Sequence, residues 1–163
     1  MISVTLPLYA TRSGKKYIPE RSGINQWLAG GRKRRFGECY FPVPREVHRL
    51  AKDFFPPRGN SFSLLLPGDF KSSAKLCQSD SKALMTSPNH LLGMWLFRLI
   101  DKDPAALMER LEFQVPFVYS DLESIGFDSV NISKSGDLFT LSPSTLGGYE
   151  FWVNASLRHS SRD

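Results

Sequence analysis

The 163 residues contain no apolar run long enough to cross a bilayer; the longest, His90–Ile100, falls far short of the roughly 20 residues required and carries Arg98. Met1–Ala10 has no basic leader and carries Pro7, so it does not read as a signal peptide. Cysteine is scarce. Cys39 and Cys77 do not form a C-x-x-C pair, which excludes a disulfide framework and a four-cysteine zinc site. Reduced thiols in a cytoplasmic protein are the expectation. Cys39 reads as a small buried hydrophobe. Histidine is scarcer than a metal or catalytic cluster needs, since His48, His90 and His159 are scattered. Phosphate-loop, nucleophile-elbow and zinc-protease motifs are missing. Neither a metal-holding carboxylate cluster nor a His–Lys nuclease signature is evident. The expectation is a chain without catalytic residues, metal or cofactor.

What the sequence does have is positive charge in one place. The formal net charge is +5, with a pI near 9.4. Residues 11–45 hold nine basic side chains against two acidic ones, and the rest of the chain is slightly acidic. A concentrated positive field attracts a polyanion, and nucleic acid fits better than a membrane surface. Gly23, Gly30, Gly31 and Gly37 interrupt the region, so it is not an amphipathic membrane helix.

The remainder reads as one domain over residues 1–157 with a polar tail, 158–163. Hydrophobic residues make up 41% of the chain, enough for a core at this length. Strands are expected at Ser3–Tyr9, Glu38–Val43, Phe62–Leu66, Phe70–Ser79, Ala83–Thr86, Val130–Ser133, Leu138–Leu141 and Tyr149–Val153. Helices are expected at Arg45–Phe55, at His90–Ile100 capped by Asn89, from Asp103-Pro104 to about Leu111, and from a Ser120 capping box to Gly126. Arg12–Arg35 reads as a long polar loop. The sum is mainly β, a small barrel with a few short helices.

Two segments have the chemistry of a binding surface. In the first, Asn25, Gln26, Arg32 and Arg34 are expected to read base edges, while Arg21, Ser22, Lys33 and Arg35 hold phosphates. Trp27 reads as a packing anchor. In the second, Gln78, Asp80 and Lys82 alternate, so an extended ribbon would project them from one face into a major groove. Asp80 also reads as a turn residue. Glu38 and Asp80 are the acceptors a cytosine amine requires, so a G·C-rich site is expected. Arg58, Lys71, Lys75 and Asn89 complete the phosphate set. A single-stranded nucleic-acid barrel, stacking bases on Tyr17, Trp27 and Tyr40, is the alternative.

The string Ser22-Gly23-Ile24-Asn25-Gln26-Trp27, Gly31-Arg32 and Glu38–Pro44, with Phe54–Gly59, Gln78, Lys82-Ala83-Leu84, Asn89 and Leu92-Gly93, resembles the C-terminal part of NgoFVII-type restriction endonucleases. That resemblance implies a B3-like domain, an open seven-stranded pseudo-barrel that grips the major groove of double-stranded DNA with two arms. Here these would be about residues 21–38 and 75–89. It also implies a partner, an N-terminal phospholipase-D-like nuclease domain. The chain lacks that domain's His-x-Lys signature, so a recognition domain of a restriction–modification system, not catalytic by itself, is expected.

Overall fold

The computed structural model describes residues 2–160. Nine strands and five α-helices follow in the order β1 (Ile2–Pro7), β2 (Ala10–Arg12), β3 (Lys15–Tyr17), β4 (Phe41–Pro42), α1 (Arg45–Leu50), β5 (Phe62–Leu66), β6 (Phe70–Cys77), β7 (Ala83–Ser87), α2 (Leu91–Ile100), α3 (Pro104–Phe113), α4 (Tyr119–Ile125), β8 (Ser129–Ser135), β9 (Leu138–Pro143) and α5 (Gly148–Ser160). Two 3-10 segments, Gly23–Leu28 and Ser79–Ser81, lie between them.

Alternation builds the sheet. Phe62, Leu64 and Leu66 of β5 point inward, as do Ser72, Ala74 and Leu76 of β6, while Lys71, Ser73 and Lys75 face solvent. Seven strands join in the order β1-β8-β9-β5-β6-β7-β4. All neighbours are antiparallel except β5 and β9. The end strands β1 and β4 touch, so the sheet curls into a nearly closed barrel with one seam. The mainly β barrel with short helices is therefore as expected. Its core is aromatic: Phe97 stacks on Phe117 with centroids 4.1 Å apart, and Phe54, Phe55, Phe62 and Phe139 pack together.

Several elements differ from the sequence reading. Tyr149–Val153 is helical, not a strand. Tyr149, Trp152 and Val153 pack inward at helical spacing, while Phe151 is 71% exposed. The helix continues through Arg158 and His159, residues assigned to the tail; the rest of that tail, 161–163, lies outside the described residues. Helix α1 stops at Leu50 because the chain turns to bury Phe54 and Phe55, with Asp53 at φ 63°. Helix α4 begins one turn-position early: Asp121, not Ser120, performs the capping, accepting the Val118 N–H at 2.8 Å. Asp103 caps α3 as expected, accepting from Ala105 N at 3.0 Å. The stretch Arg12–Arg35 is not a bare loop. It contains the β2–β3 hairpin, whose turn residues Ser13 and Gly14 both take positive φ, and the 3-10 segment Gly23–Leu28.

Candidate nucleic-acid interface

The first segment is anchored before it becomes exposed. Asn25 is fully buried. Its Nδ2 donates to the carbonyls of Pro19 and Phe117, both at 2.9 Å, and its Oδ1 accepts the Phe117 N–H at 2.8 Å. All its hydrogen bonds are internal, which removes Asn25 from the side chains able to reach a base. Trp27 is also buried, edge-on to Phe36 at 4.8 Å, so it is the packing anchor expected and not a platform for stacking. Gln26 and Ser22 are half-buried, and Arg21 is exposed beside Leu28, Gln114 and Pro116.

Beyond this root the chain turns polar and open. Gly30, Gly31, Arg32, Lys33 and Arg35 are exposed. Arg32 donates to both oxygens of Glu38, Nη1 to Oε1 at 3.1 Å and Nη2 to Oε2 at 2.8 Å. Arg34 places Nε 3.4 Å from Oε2 and leaves Nε and Nη1 without hydrogen-bond partners. Glu38 itself is 1% exposed. This argues against its expected role: a carboxylate buried beneath its own loop and already accepting three hydrogen bonds is not presented to a cytosine amine. Cys39 is equally buried, and burial first, then the neighbouring Glu38, pushes its thiol well above the ordinary range. Gly37, directly before Glu38, takes a positive φ of 99°, and its carbonyl lies so close to Gly93 of α2 that a Cβ on Gly93 would sit 2.1 Å from the oxygen.

The second segment is a ribbon. Strands β6 and β7 pair from Ser73↔Ser87 to Cys77↔Ala83, and the chain reverses over residues 78–82. Gln78, Asp80 and Lys82 are exposed, but they do not alternate along a strand. They belong to a tight reversal that includes the Ser79–Ser81 3-10 turn, with Gln78, Asp80 and Ser81 at φ 68°, 60° and 51°. The turn reading of Asp80 holds. Four groups from outside brace this reversal. Arg58 Nη1 reaches Gln78 O at 3.4 Å, and Gly59 N donates to Leu76 O at 2.9 Å. His48 Nε2 donates to Ser81 O at 2.9 Å, and Arg45 pairs with Asp80 at 3.7 Å. Lys75 projects from the exposed face near this end. Lys71 stands on the same face, but seven residues of strand place it roughly 23 Å from Gln78.

The roots of the two segments meet. Strand β4, which follows the first, pairs with β7 of the second through Phe41↔Leu84 and Pro42↔Ala83. Val43 N donates to Lys82 O at 2.8 Å, Cys39 N to Asn89 O at 3.3 Å, and Tyr40 N to Gly23 O at 3.2 Å. Asn89 Nδ2 donates to Glu38 Oε1 at 3.1 Å. Asn89 therefore does not cap α2, whose first flanking residue is His90. One N–H of its amide is thereby committed to Glu38. Beside the junction lies a concavity of about 360 Å3 lined by Tyr40, Pro42, Val43, Pro44, Arg45, Asp80 and Lys82.

Sequence reasoning missed Arg45 and His48 as members of this surface. The available signal was their place directly after the Pro42–Pro44 strand end.

A second polar cluster is built from residues outside both segments. Asp128, wholly buried, accepts from Tyr119 Oη at 2.6 Å and Lys16 Nζ at 3.2 Å; Lys16 also pairs with Glu150 at 2.6 Å, which accepts from Tyr9 Oη. Burial and the Asp128 hydrogen bond push Tyr119 up to about 12. Burial acts against the Lys16 ammonium, but its two carboxylate partners outweigh it and raise the group. This cluster takes Lys16 out of the basic surface. Among the described residues no group of three or more His, Cys, Asp or Glu could hold a metal ion, and no helix is long and apolar enough to cross a membrane.

The family described as the NgoFVII C-terminal B3-like DNA-binding domain matches residues 2–135. No curated protein matches the chain. The matched stretch includes both segments, while the sheet strand β9 and helix α5 lie beyond it.

Proposed function

The chain belongs to the NgoFVII C-terminal B3-like DNA-binding domain family, and from that premise we propose that it is the sequence-reading part of a restriction enzyme. Its target is a short, G·C-rich site in double-stranded DNA. The segments 21–38 and 75–89 act as two arms entering the major groove. Arg32, Arg34, Gln26, Gln78, Asp80 and Lys82 face base edges, and Arg21, Ser22, Lys33, Arg35, Arg58, Lys71 and Lys75 approach phosphates. The domain carries no chemistry of its own and directs a phospholipase-D-like nuclease to its site.

One observation carries this reading. The only strongly basic stretch of the sequence and the ribbon reversal, far apart in the chain, grow from a shared root at Glu38, Asn89 and the β4–β7 pair. A two-stranded ribbon fits the major groove, and arginine forks suit guanine O6 and N7. The single-strand alternative loses one of its three platforms, because Trp27 is buried.

Selection from random duplexes at a stated salt concentration tests the proposal, followed by binding of cognate, scrambled and single-stranded DNA. Preferential recovery of one short duplex motif is expected. Equal affinity for all three would overturn it. Replacing Arg32 with alanine should cost roughly 1–3 kcal/mol on the cognate duplex alone, whereas replacing Lys33 should weaken cognate and scrambled DNA alike and flatten the salt dependence.

A further inference from the structure

We propose that Glu38 is a positioning residue for specificity: it withholds two arginine heads from indiscriminate phosphate binding and presents them in one fixed geometry. The inference rests on the reading of the two arms as a duplex-binding surface.

Two guanidinium groups converge on one carboxylate oxygen. Arg32 Nη2 lies 2.8 Å and Arg34 Nε 3.4 Å from Oε2. The other oxygen takes Arg32 Nη1 and Asn89 Nδ2, both at 3.1 Å. Glu38 is 1% exposed, so its position is set by packing. Its backbone is fixed as well, because Glu38 N donates to Arg35 O at 3.0 Å. The partners differ in exposure: the Arg32 side chain is 58% exposed and the Arg34 side chain 13%. Arg32 thus keeps outward donors beyond the two it gives Glu38, because a guanidinium carries five. Arg34 has two donor atoms without hydrogen bonds, held beneath it.

A long arginine in an open glycine-bordered loop would otherwise sample many rotamers and reach any nearby phosphate. Phosphate contacts bind all sequences alike. Clamping the heads on a buried carboxylate reduces the ordering cost of a base contact and offsets one of the two positive charges. Asn89 extends the clamp to the end of the other arm, so the arginines are referenced to both.

The position therefore has an unusual sign. Glu38→Gln keeps a side-chain oxygen for one partner but removes the countercharge. Scrambled duplex should then bind more tightly, and its log affinity against log salt should steepen by about 0.9 for each arginine that gains a phosphate. The cognate-to-scrambled ratio should fall about tenfold or more, the discrimination one bidentate base contact supplies. Asn89→Ala leaves the charge in place. It should lower the ratio and leave the salt slope unchanged.

Binding of the selected duplex and its scrambled counterpart, across a salt series, is measured for the whole chain and both variants, with thermal unfolding alongside. A higher scrambled affinity and a steeper slope for Glu38→Gln, with a lower ratio, support the inference. Equal losses on both duplexes, with the slope unchanged, overturn it and leave Glu38 a structural residue. If Glu38→Gln does not fold, Asn89→Ala decides: an unchanged ratio refutes the link between the arms. A wild-type chain with no duplex preference would refute the functional reading itself, a result distinct from either.

Discussion

Asn25 and Phe117 exchange two hydrogen bonds, 92 residues apart in the chain: the side-chain amide donates to the Phe117 carbonyl at 2.9 Å and accepts the Phe117 N–H at 2.8 Å. The amide behaves as a strand neighbour for a single residue, and the root of the first arm is fastened to the segment that leads into α4. Truncation to alanine would strand a buried N–H and C=O of Phe117 together. Asn25→Ala should destabilise the fold by about 3 kcal/mol in denaturant unfolding, with duplex preference retained by the fraction that folds. Loss of duplex preference at unchanged stability would instead make Asn25 a base reader.

Gly93 allows α2 to approach the end of the first arm. A Cβ there would meet the Gly37 carbonyl oxygen at 2.1 Å, and backbone cannot swing aside as a flexible side chain can. Gly93→Ala should cost roughly 1–3 kcal/mol and shift Glu38, two contacts away, so duplex affinity falls more than the stability loss alone explains. An alanine variant with native melting temperature and native affinity would show that the contact is not tight in solution.

Gln78 sits at φ 68° and ψ 166°, a region essentially reserved for glycine. Gln78→Gly should therefore raise stability by roughly 1 kcal/mol, since such strain costs of that order. The same change removes a side chain assigned to base reading, so cognate affinity should drop while scrambled affinity holds. Reduced stability, or unchanged discrimination, would each count against one half of this assignment.

Removing the brace behind the reversal should have a smaller effect. His48→Ala deletes the hydrogen bond to Ser81 O and should cost about 1 kcal/mol in thermal unfolding. Hydrogen exchange of the 78–82 amides should accelerate more than that of β5. Uniform acceleration would show that the reversal does not depend on α1.

The polar cluster around Lys16 predicts the pH limits of the fold. Tyr119, pushed up to about 12 by burial and Asp128, holds its proton longer when folded than the ordinary value of 10.0 allows. Tyr9 and Tyr149 are raised for the same first reason, burial, and then by Glu150 and Glu46 respectively. Lys16 is raised above 10.5 by its carboxylates against the opposing effect of burial. Each contributes stability present below these ordinary values and lost as pH rises through the higher folded ones. Glu150 has the opposite sense. Burial would raise it, but hydrogen bonds from Lys16 and Tyr9 outweigh that and lower it below 4.5, so its contribution is lost on acidification. Urea midpoints should be level between about pH 7 and 9 and fall on both sides, the acid fall beginning where His90, lowered from 6.5 by burial and then by Arg35 and Arg98, resists protonation in the fold, and Tyr119→Phe should soften the alkaline fall. An alkaline limb unaffected by that substitution would remove the cluster from the explanation.

Much of the barrel was legible in local pattern. Alternation in β5 and β6, the Asp103-Pro104 helix start and the glycine-containing β8–β9 turn each state their structure within a few residues. The run from Tyr149 to Val153 was not, because five apolar-rich residues satisfy strand and helix periods equally, and the choice fell to Tyr149 bonding Glu46 and Glu150 bonding Lys16.

The sequence by itself determined a mainly β domain, the concentration of positive charge between residues 11 and 45, and the two polar segments that could face DNA. Only the tertiary structure decided which of their polar side chains remain available. Asn25 and Glu38 have the right chemistry for a base, but burial and partners as far as 92 residues distant commit it, and Asn89 gives one amide N–H to Glu38, 51 residues away. A residue's type states what it can bond; whether a bond is still unmade depends on neighbours that the chain supplies only after folding.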